Sequence, residues 1–250
     1  MLCGGAGQAS IPQRRKCTPV ACYFIEHSAK LKSMKYKSIF FTIAILVAAI
    51  HSVGQIKDID GNIYRTVPIG LQDWMVENLN VTHFRNGDEI AEVKNNDEWK
   101  KALTDHKPAW CYYNNFSGYG KTYGKLYNWY AVIDLRGLAP TGWHIPTDFM
   151  LTVLIEKFGS YNSAGGKMKS TWGWNNNGNG NNESGLTCLP GGKCNLDGTF
   201  NGVGENGYWW GSSESDIDNA WTFVLGYYEN SISRNKFSKG LGLSIRCYKD

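Results

Sequence analysis

The segment 171–185 mixes tryptophans with asparagines and glycines in a way that suits ligand recognition. Its sequence, TWGWNNNGNGNNESG, contains six asparagines and four glycines. Planar amides pair with hydroxyl groups, and indole rings can stack on the apolar faces of sugars. We therefore expect a surface here that binds glycan or protein ligands. The predicted ligand-binding residues are Trp172, Trp174, Asn175, Asn176, Asn177, Asn179, Trp210 and Glu214.

Tryptophan also fills hydrophobic cores, and this alternative stays open for Trp172 and Trp174. Trp209 and Trp210 are adjacent on a predicted strand. If their side chains alternate, they cannot both point inward, so one of them would reach the surface. The segment 171–185 itself is too polar to form a packed core, which predicts a long surface loop.

Four cysteines follow residue 54, namely Cys111, Cys188, Cys194 and Cys247. An even number in an exported chain favours disulfides. Cys188 and Cys194 bracket the turn sequence LPGGK, so we predict a Cys188–Cys194 disulfide, which leaves Cys111–Cys247 as the second. Four reduced thiols are the alternative.

Residues that could bind a metal or catalyse a reaction show no familiar spacing. Acidic side chains near the loop could offer oxygen ligands to calcium, but the paired motifs of calcium-dependent lectins do not occur. The histidines lack zinc-ligand spacing, and no nucleophile elbow, phosphate loop or HExxH motif is found. We expect no cofactor, with calcium possible but unsupported, and no enzymatic activity.

The N-terminal part of the chain predicts export. Two lysines precede an apolar run at 39–50, and the small residues Ser52 and Gly54 come before Gln55. This order is typical of a signal peptide at 34–54, and the run is short for a membrane span. A retained anchor is the alternative. We interpret 1–33 as an over-extended or disordered N-terminus, and 55–250 as a secreted or surface domain without a stable membrane span after cleavage.

The formal net charge of +4 arises in the N-terminal part. Residues 55–250 are slightly acidic, so the composition favours neither nucleic acid nor an anionic membrane surface as a partner.

Short strands and helices must position these residues. Asp60-Gly61 predicts a hairpin turn within 56–69, and a strand follows at 72–79. Thr147 is a plausible helix N-cap, and the run 125–135 favours a buried helix over a strand. Because strands cluster after the helices, we predict an α+β domain. The predicted helices are 96–103, 125–135 and 146–158, and the later strands are 199–210, 220–228 and 242–248.

Ordered motifs across the chain resemble a known family. They are DIDGNIY (58–64), WMVENL (74–79), YGKLYNWYAV (123–132), PTGWHIPTD (140–148), SGLTCLPGG (184–192), GYWWGSSE (207–214) and SIRCYKD (244–250). In this order they resemble the Fibrobacter succinogenes major paralogous domain. The resemblance implies an exported bacterial protein with a C-type-lectin-like fold, and it implies no settled activity.

The motifs also bear on single residues. Membership in them favours core positions for Trp143, Trp209, Trp210 and Trp221. The chain departs from the family at Ala139, where members commonly carry cysteine, so their disulfide pattern does not transfer simply to Cys247. Asp148-Phe149-Met150 also replaces the family's usual helix start.

Three hypotheses about function follow. The first is a secreted or surface-displayed recognition module for glycans or proteins. The second is a structural role as an adhesin or pilus subunit. The third is an enzyme of the formylglycine-generating type, which would need redox cysteines in a motif that this sequence lacks.

Overall fold

A computed structural model describes residues 54–250 of the chain. Two predicted segments lie outside the described residues. They are the N-terminal segment 1–33 and, except for Gly54, the signal segment 34–54. The first sheet joins both ends of the described chain in the order β1-β2-β3-β12, with antiparallel neighbours. Its strands are β1 (Gly54–Lys57), β2 (Ile63–Ile69), β3 (Gln72–Met75) and β12 (Tyr248–Lys249).

The predicted hairpin is confirmed in this sheet. β1 pairs with β2 from Gly54 opposite Thr66 to Lys57 opposite Ile63. Gly61 has a φ of +88°, and its N–H donates to the Asp58 carbonyl. Glycine adopts this conformation without steric cost, which explains the turn at Asp60-Gly61.

The second sheet has five strands in the order β11-β10-β9-β7-β8. All neighbours are antiparallel except β7 and β9, which run parallel. A small third sheet has the order β4-β5-β6. The strands of the second sheet are β7 (Gly191–Cys194), β8 (Phe200–Val203), β9 (Asn206–Glu214), β10 (Asn219–Gly226) and β11 (Ile232–Ser238), and those of the third are β4 (Ala91–Glu92), β5 (Ala109–Cys111) and β6 (Leu126–Tyr127).

Five α-helices accompany the sheets in the described part of the chain, besides two single-turn 3-10 helices at Tyr113–Asn115 and Ser117–Tyr119. The α-helices are α1 (Asn96–Thr104), α2 (Gly120–Tyr123), α3 (Trp129–Val132), α4 (Asp148–Lys157) and α5 (Gly165–Met168). Side chains cap the two longest: Asn95 accepts from the Glu98 N–H, and Thr147 accepts from the Met150 N–H. These caps satisfy N–H groups that have no partner inside the helix, and they confirm the predicted helices at 96–103 and 146–158. Within 54–250, every helix is too short or too polar to cross a lipid bilayer.

Three predicted elements differ from the structure. The predicted helix at 125–135 is strand β6 followed by the one-turn helix α3, because Tyr127 pairs with Leu243 and the Asn128 side chain caps a new helix. The predicted strand at 199–210 is split into β8 and β9 by a turn. The predicted strand at 242–248 changes partners along its length and forms a regular ladder only at its end. The sequence reading also missed β11.

The core consists of three clusters of buried hydrophobic residues. Cluster 1 includes Trp210 and Trp143, and cluster 2 includes Trp209 and Trp74. Trp209 and Trp210 are only 7% and 0% exposed, so the expectation that one of them reaches the surface is wrong. The alternation along β9 does hold, but hydrophobic residues cover both faces of this sheet, which makes both directions inward.

Arg246 is buried between segments that are distant in sequence. Its Nε and Nη2 donate to Asn78 Oδ1 at 3.2 and 2.7 Å, and its Nη1 donates to the Met75 and Leu186 carbonyls. No carboxylate within 54–250 pairs with it. Burial lowers the pKa of Arg246 from its usual value. The charge is therefore stabilised by oriented amide and carbonyl dipoles.

Asn78 completes this arrangement with two further bonds. Its Oδ1 also accepts from Trp209 Nε1 at 2.9 Å, and its Nδ2 donates to the Tyr123 carbonyl at 2.9 Å. One buried side chain thus connects the end of the first sheet, α2, the second sheet and the C-terminal segment.

We predict that Asn78→Ala lowers the free energy of unfolding by about 3 kcal/mol or more, because it leaves a buried guanidinium short of acceptors. Urea denaturation measures this change. Asn201→Ala is the control, since Asn201 is exposed and its change should stay within about 0.5 kcal/mol. Equal stability of the two variants would contradict the role assigned to Asn78.

Candidate functional site

The loop 171–185 contains no helix or strand, as predicted, yet one of its tryptophans is an anchor in the core. Trp174 is 4% exposed, and its Nε1 donates to Ser170 Oγ at 3.0 Å and to the Cys188 carbonyl at 3.1 Å. The Lys169 ammonium lies 5.3 Å from the ring centre. Trp174 therefore anchors the loop in the core, and its ring is not accessible to a ligand. Trp172 is 51% exposed and remains available.

The asparagines give the loop its backbone shape. Asn176, Asn177 and Asn182 have φ values of 49°, 60° and 52°. Asparagine tolerates this left-handed conformation better than most residues. The loop also lies close to the second sheet at Gly178, where an added Cβ would come within 2.2 Å of the Tyr227 carbonyl oxygen. A residue with a side chain could not be accommodated there without displacing the backbone.

One side of the loop forms a polar groove of about 430 Å³ with α5 and the turn between β10 and β11. We call it the amide groove. Its lining residues are Ser163, Gly166, Lys167, Asn179, Gly180, Asn181 and Asn230.

The amides of this groove keep hydrogen-bonding capacity. Asn179 Oδ1 accepts from the Trp174 N–H at 3.0 Å, and Asn181 Oδ1 accepts from the Glu183 N–H at 3.1 Å. Within residues 54–250, neither Nδ2 group has a partner, and the Asn230 amide makes no side-chain hydrogen bond. Lys167 Nζ lies 3.3 Å from Glu183 Oε1, which offsets its charge. The groove therefore offers amide donors and acceptors at a nearly neutral surface.

The predicted site residues do not all come together here. Asn179 lines the amide groove, while Asn175, Asn176 and Asn177 are exposed on the loop outside its lining.

The two downstream residues lie elsewhere. Trp210 is a core residue whose Nε1 donates to the Tyr127 carbonyl at 2.9 Å. Glu214 is at the opposite end of β9 from the loop contact near Gly204, and it forms an ion pair with Lys239. Neither of them lines the groove. Trp210 is enclosed in cluster 1, and Glu214 is at the far end of a nine-residue strand, which spans about 30 Å.

Sequence reasoning missed Ser163, Lys167 and Asn230 as neighbours of the loop. Asn230 approaches because the Gly165 N–H donates to its carbonyl at 2.9 Å, which brings α5 against the β10–β11 turn. The sequence analysis predicted no turn at this position, because it missed β11, and the contact of the turn with α5 arises from a backbone hydrogen bond. No side-chain spacing reports such a contact.

The four cysteines within 54–250 are buried free thiols, and the predicted disulfide partners are not the ones that the fold brings together. Cys188 belongs to cluster 2 and Cys247 to cluster 1, while Cys111 and Cys194 share cluster 3. The turn at LPGGK leads into the extended strand β7, which carries Cys194 away from Cys188. Burial raises the pKa of Cys247 to about 12 and raises the pKa of Cys188.

Within 54–250, no three side chains from His, Cys, Asp and Glu converge as a metal site would require. His83 Nδ1 pairs with Asp60 Oδ1, and Thr82 Oγ1 donates to Asp60 Oδ2, so that both side chains contact the hairpin turn.

Comparison with known proteins supports the resemblance seen in the sequence. The family model described as Fibrobacter succinogenes major domain matches residues 67–249. No curated protein matches the chain, and no solved structure does. The matched span includes the whole second sheet, the loop 171–185 and the Arg246–Asn78 contact. The chain belongs to the Fibrobacter succinogenes major domain family.

Proposed function

We propose that this protein is an exported bacterial recognition module that binds glycans in the amide groove. The observation that carries the proposal is the convergence of Asn179, Asn181 and Asn230 on one concave surface, with amide groups that are free to bond. Sugar hydroxyls both donate and accept hydrogen bonds, and planar amides match this pattern.

The charge of the groove favours a neutral ligand. Lys167 is its cation, and Glu183 lies beside it at 3.3 Å. An anionic sugar would compete with this carboxylate, whereas a neutral hydroxyl-rich ligand would not. The exposed ring of Trp172, on the same loop, could stack on a sugar face if the ligand extends beyond the groove.

The remaining parts of this proposal concern location and fold. The pattern at 34–54 supports export, so the ligand would be met outside the cell or on its surface. We further propose a C-type-lectin-like fold, which the family resemblance implies. The sheet that joins both ends of the described domain and the presence of the long loop 171–185 are compatible with this fold.

We propose a binding role without catalysis and without a cofactor. The buried thiols support this, because burial raises the pKa of Cys188 and Cys247 and thereby disfavours the nucleophilic thiolate. A formylglycine-generating activity would require accessible redox cysteines.

An adhesin or pilus subunit is the second candidate, favoured by one feature. β11 is a seven-residue edge strand of the second sheet and pairs only with β10. Strand addition at such an edge joins subunits in many assemblies. However, Arg234 and Lys236 lie exposed on this strand, and charges on an edge discourage pairing. Sedimentation of the purified protein over a range of concentrations would distinguish a monomer from an assembling subunit.

We predict that Asn230→Ala lowers the affinity for a bound glycan about tenfold, since the loss of one amide's hydrogen bonds costs about 1.4 kcal/mol. A glycan array identifies the ligand, and titration calorimetry measures its Kd. Asn201→Ala, at an exposed position of β8 outside the groove, should bind as the unsubstituted protein does. Absence of binding to any glycan, or equal Kd values for Asn230→Ala and the unsubstituted protein, would contradict the proposed site.

We also predict that chelation of calcium leaves the Kd unchanged within about twofold, since the groove offers amides, a hydroxyl and one paired carboxylate where calcium needs six or more oxygen ligands. The array and the titration are repeated with calcium and with a chelator, and a calcium-dependent lectin serves as the control. A loss of binding that calcium restores would show that the ligand is held through a cation.

A further inference from the structure

Two of the four buried thiols meet in cluster 3, where the sequence suggested different partners. Cys111 ends β5, and Cys194 ends β7. Both are about 1% exposed and lie in cluster 3, and the Cys194 thiol is near enough to contribute to the raised pKa of the Cys111 thiol.

Backbone pairing brings these two strands together. Cys111 is paired with Leu126 in β6, and the next residue, Tyr127, pairs with Leu243. Gly242, just before Leu243, pairs with Cys194 through hydrogen bonds of 2.9 Å in both directions. The segments 126–127 and 242–243 thus connect β5 to β7 on one side of the cluster.

Cys194 lies close to the segment 242–243. A Cβ added at Gly242 would come within 2.8 Å of Cys194 Cβ and 2.9 Å of the Trp99 ring. Glycine at 242 therefore permits the close approach of the Cys194 strand. Trp99, Tyr113 and Leu126 enclose the two thiols in the same cluster.

We propose that Cys111 and Cys194 form a disulfide in the mature protein, while Cys188 and Cys247 stay reduced. The bond would link β5 of the third sheet to β7 of the second sheet. It would also close the long stretch of chain that contains α4 and the loop 171–185. The inference depends on the proximity of the two thiols and is independent of any ligand in the amide groove.

The bond requires a disulfide oxidant, which an oxidising compartment supplies. One cysteine thiolate attacks a sulfur of the oxidant, whose S–S bond breaks and releases one thiol. The second cysteine then attacks the mixed disulfide and releases the other thiol. The protein loses two protons and two electrons, and the oxidant is reduced to two thiols.

The disulfide would form during folding, before the thiols are buried. In the native protein both thiols are shielded, and burial together with the neighbouring Cys194 raises the pKa of Cys111. A thiolate is therefore rare there, and an oxidant has no access. Oxidation would occur before cluster 3 closes, and the finished bond would resist reductants.

The test uses the full chain with Cys3→Ser, Cys17→Ser and Cys22→Ser, so that only the four cysteines of the domain can react. The protein is refolded from denaturant in a buffer of oxidised and reduced glutathione. It is then denatured, alkylated without reduction, and mapped by mass spectrometry. We expect one cross-linked peptide pair joining Cys111 to Cys194, with alkylated Cys188 and Cys247. A Cys188–Cys194 or Cys111–Cys247 link, or four alkylated thiols, would overturn the proposal.

A stability measurement provides a second readout. Reduction should lower the midpoint of thermal unfolding of the oxidised protein by roughly 10 °C, because the bond restricts the unfolded chain. Cys111→Ala should abolish this difference between the oxidised and reduced forms, and Cys188→Ala should keep it. Each variant is compared with itself, so any loss of packing cancels. If Cys111→Ala does not fold, the peptide map decides alone. A reduction effect that persists in folded Cys111→Ala would contradict the assignment.

Discussion

The contact between the Arg246 guanidinium and Asn78 Oδ1 is the interaction on which the rest of the structure depends. A buried cation without a carboxylate partner must be stabilised by fixed dipoles, and these come from two distant parts of the chain, residues 75–78 and Leu186. Asn78 follows β3, the Leu186 carbonyl closes the loop 171–185, and Trp209 reaches Asn78 from β9. The first sheet, the second sheet and the loop can satisfy this charge only when all three are in place.

Buried lysines repeat this principle elsewhere in the domain. Lys125 donates to the Asn80 carbonyl, and burial lowers the pKa of Lys125 to about 8. Lys169 donates to the Gly226 and Glu229 carbonyls. Lys239 donates to the Ile217 carbonyl in addition to its ion pair with Glu214. Loops leave carbonyl groups without partners, and a loop-rich domain needs donors that reach them. Lysine supplies three donors on a long stem, which here also lies against aromatic rings. The pKa of Lys125 is lower in the folded protein than in the unfolded chain. The ionisation of Lys125 therefore destabilises the fold below pH 8, and this penalty decreases as the pH rises from about 8 toward the pKa of lysine in the unfolded chain.

The tryptophans and the asparagines have roles that differ from those predicted from the sequence. Trp174 and Trp210 are anchors in the core, and their indole N–H groups donate to partners inside the domain. The asparagines of the loop shape its backbone through left-handed conformations at Asn176, Asn177 and Asn182. Only Asn179 and Asn181 point their amides into the groove that α5 and Asn230 complete. The loop is thus anchored at two points, by Trp174 in the core and by Gly178 against the Tyr227 backbone just after β10.

The sequence by itself determined the local features of this protein. The turn at Asp60-Gly61, the Thr147 cap and the polar loop at 171–185 depend on residues that are neighbours in the chain, so their types and spacing were sufficient. The ordered motifs also identified the family. The tertiary structure alone decided which distant groups meet: Cys194 with Cys111, Asn230 with the loop, and Trp209 and Trp210 on two covered faces of one sheet. These contacts follow from the order of strands in the sheets and from backbone pairing such as that of Gly242 with Cys194. The spacing of side chains along the sequence reports neither the strand order nor this pairing.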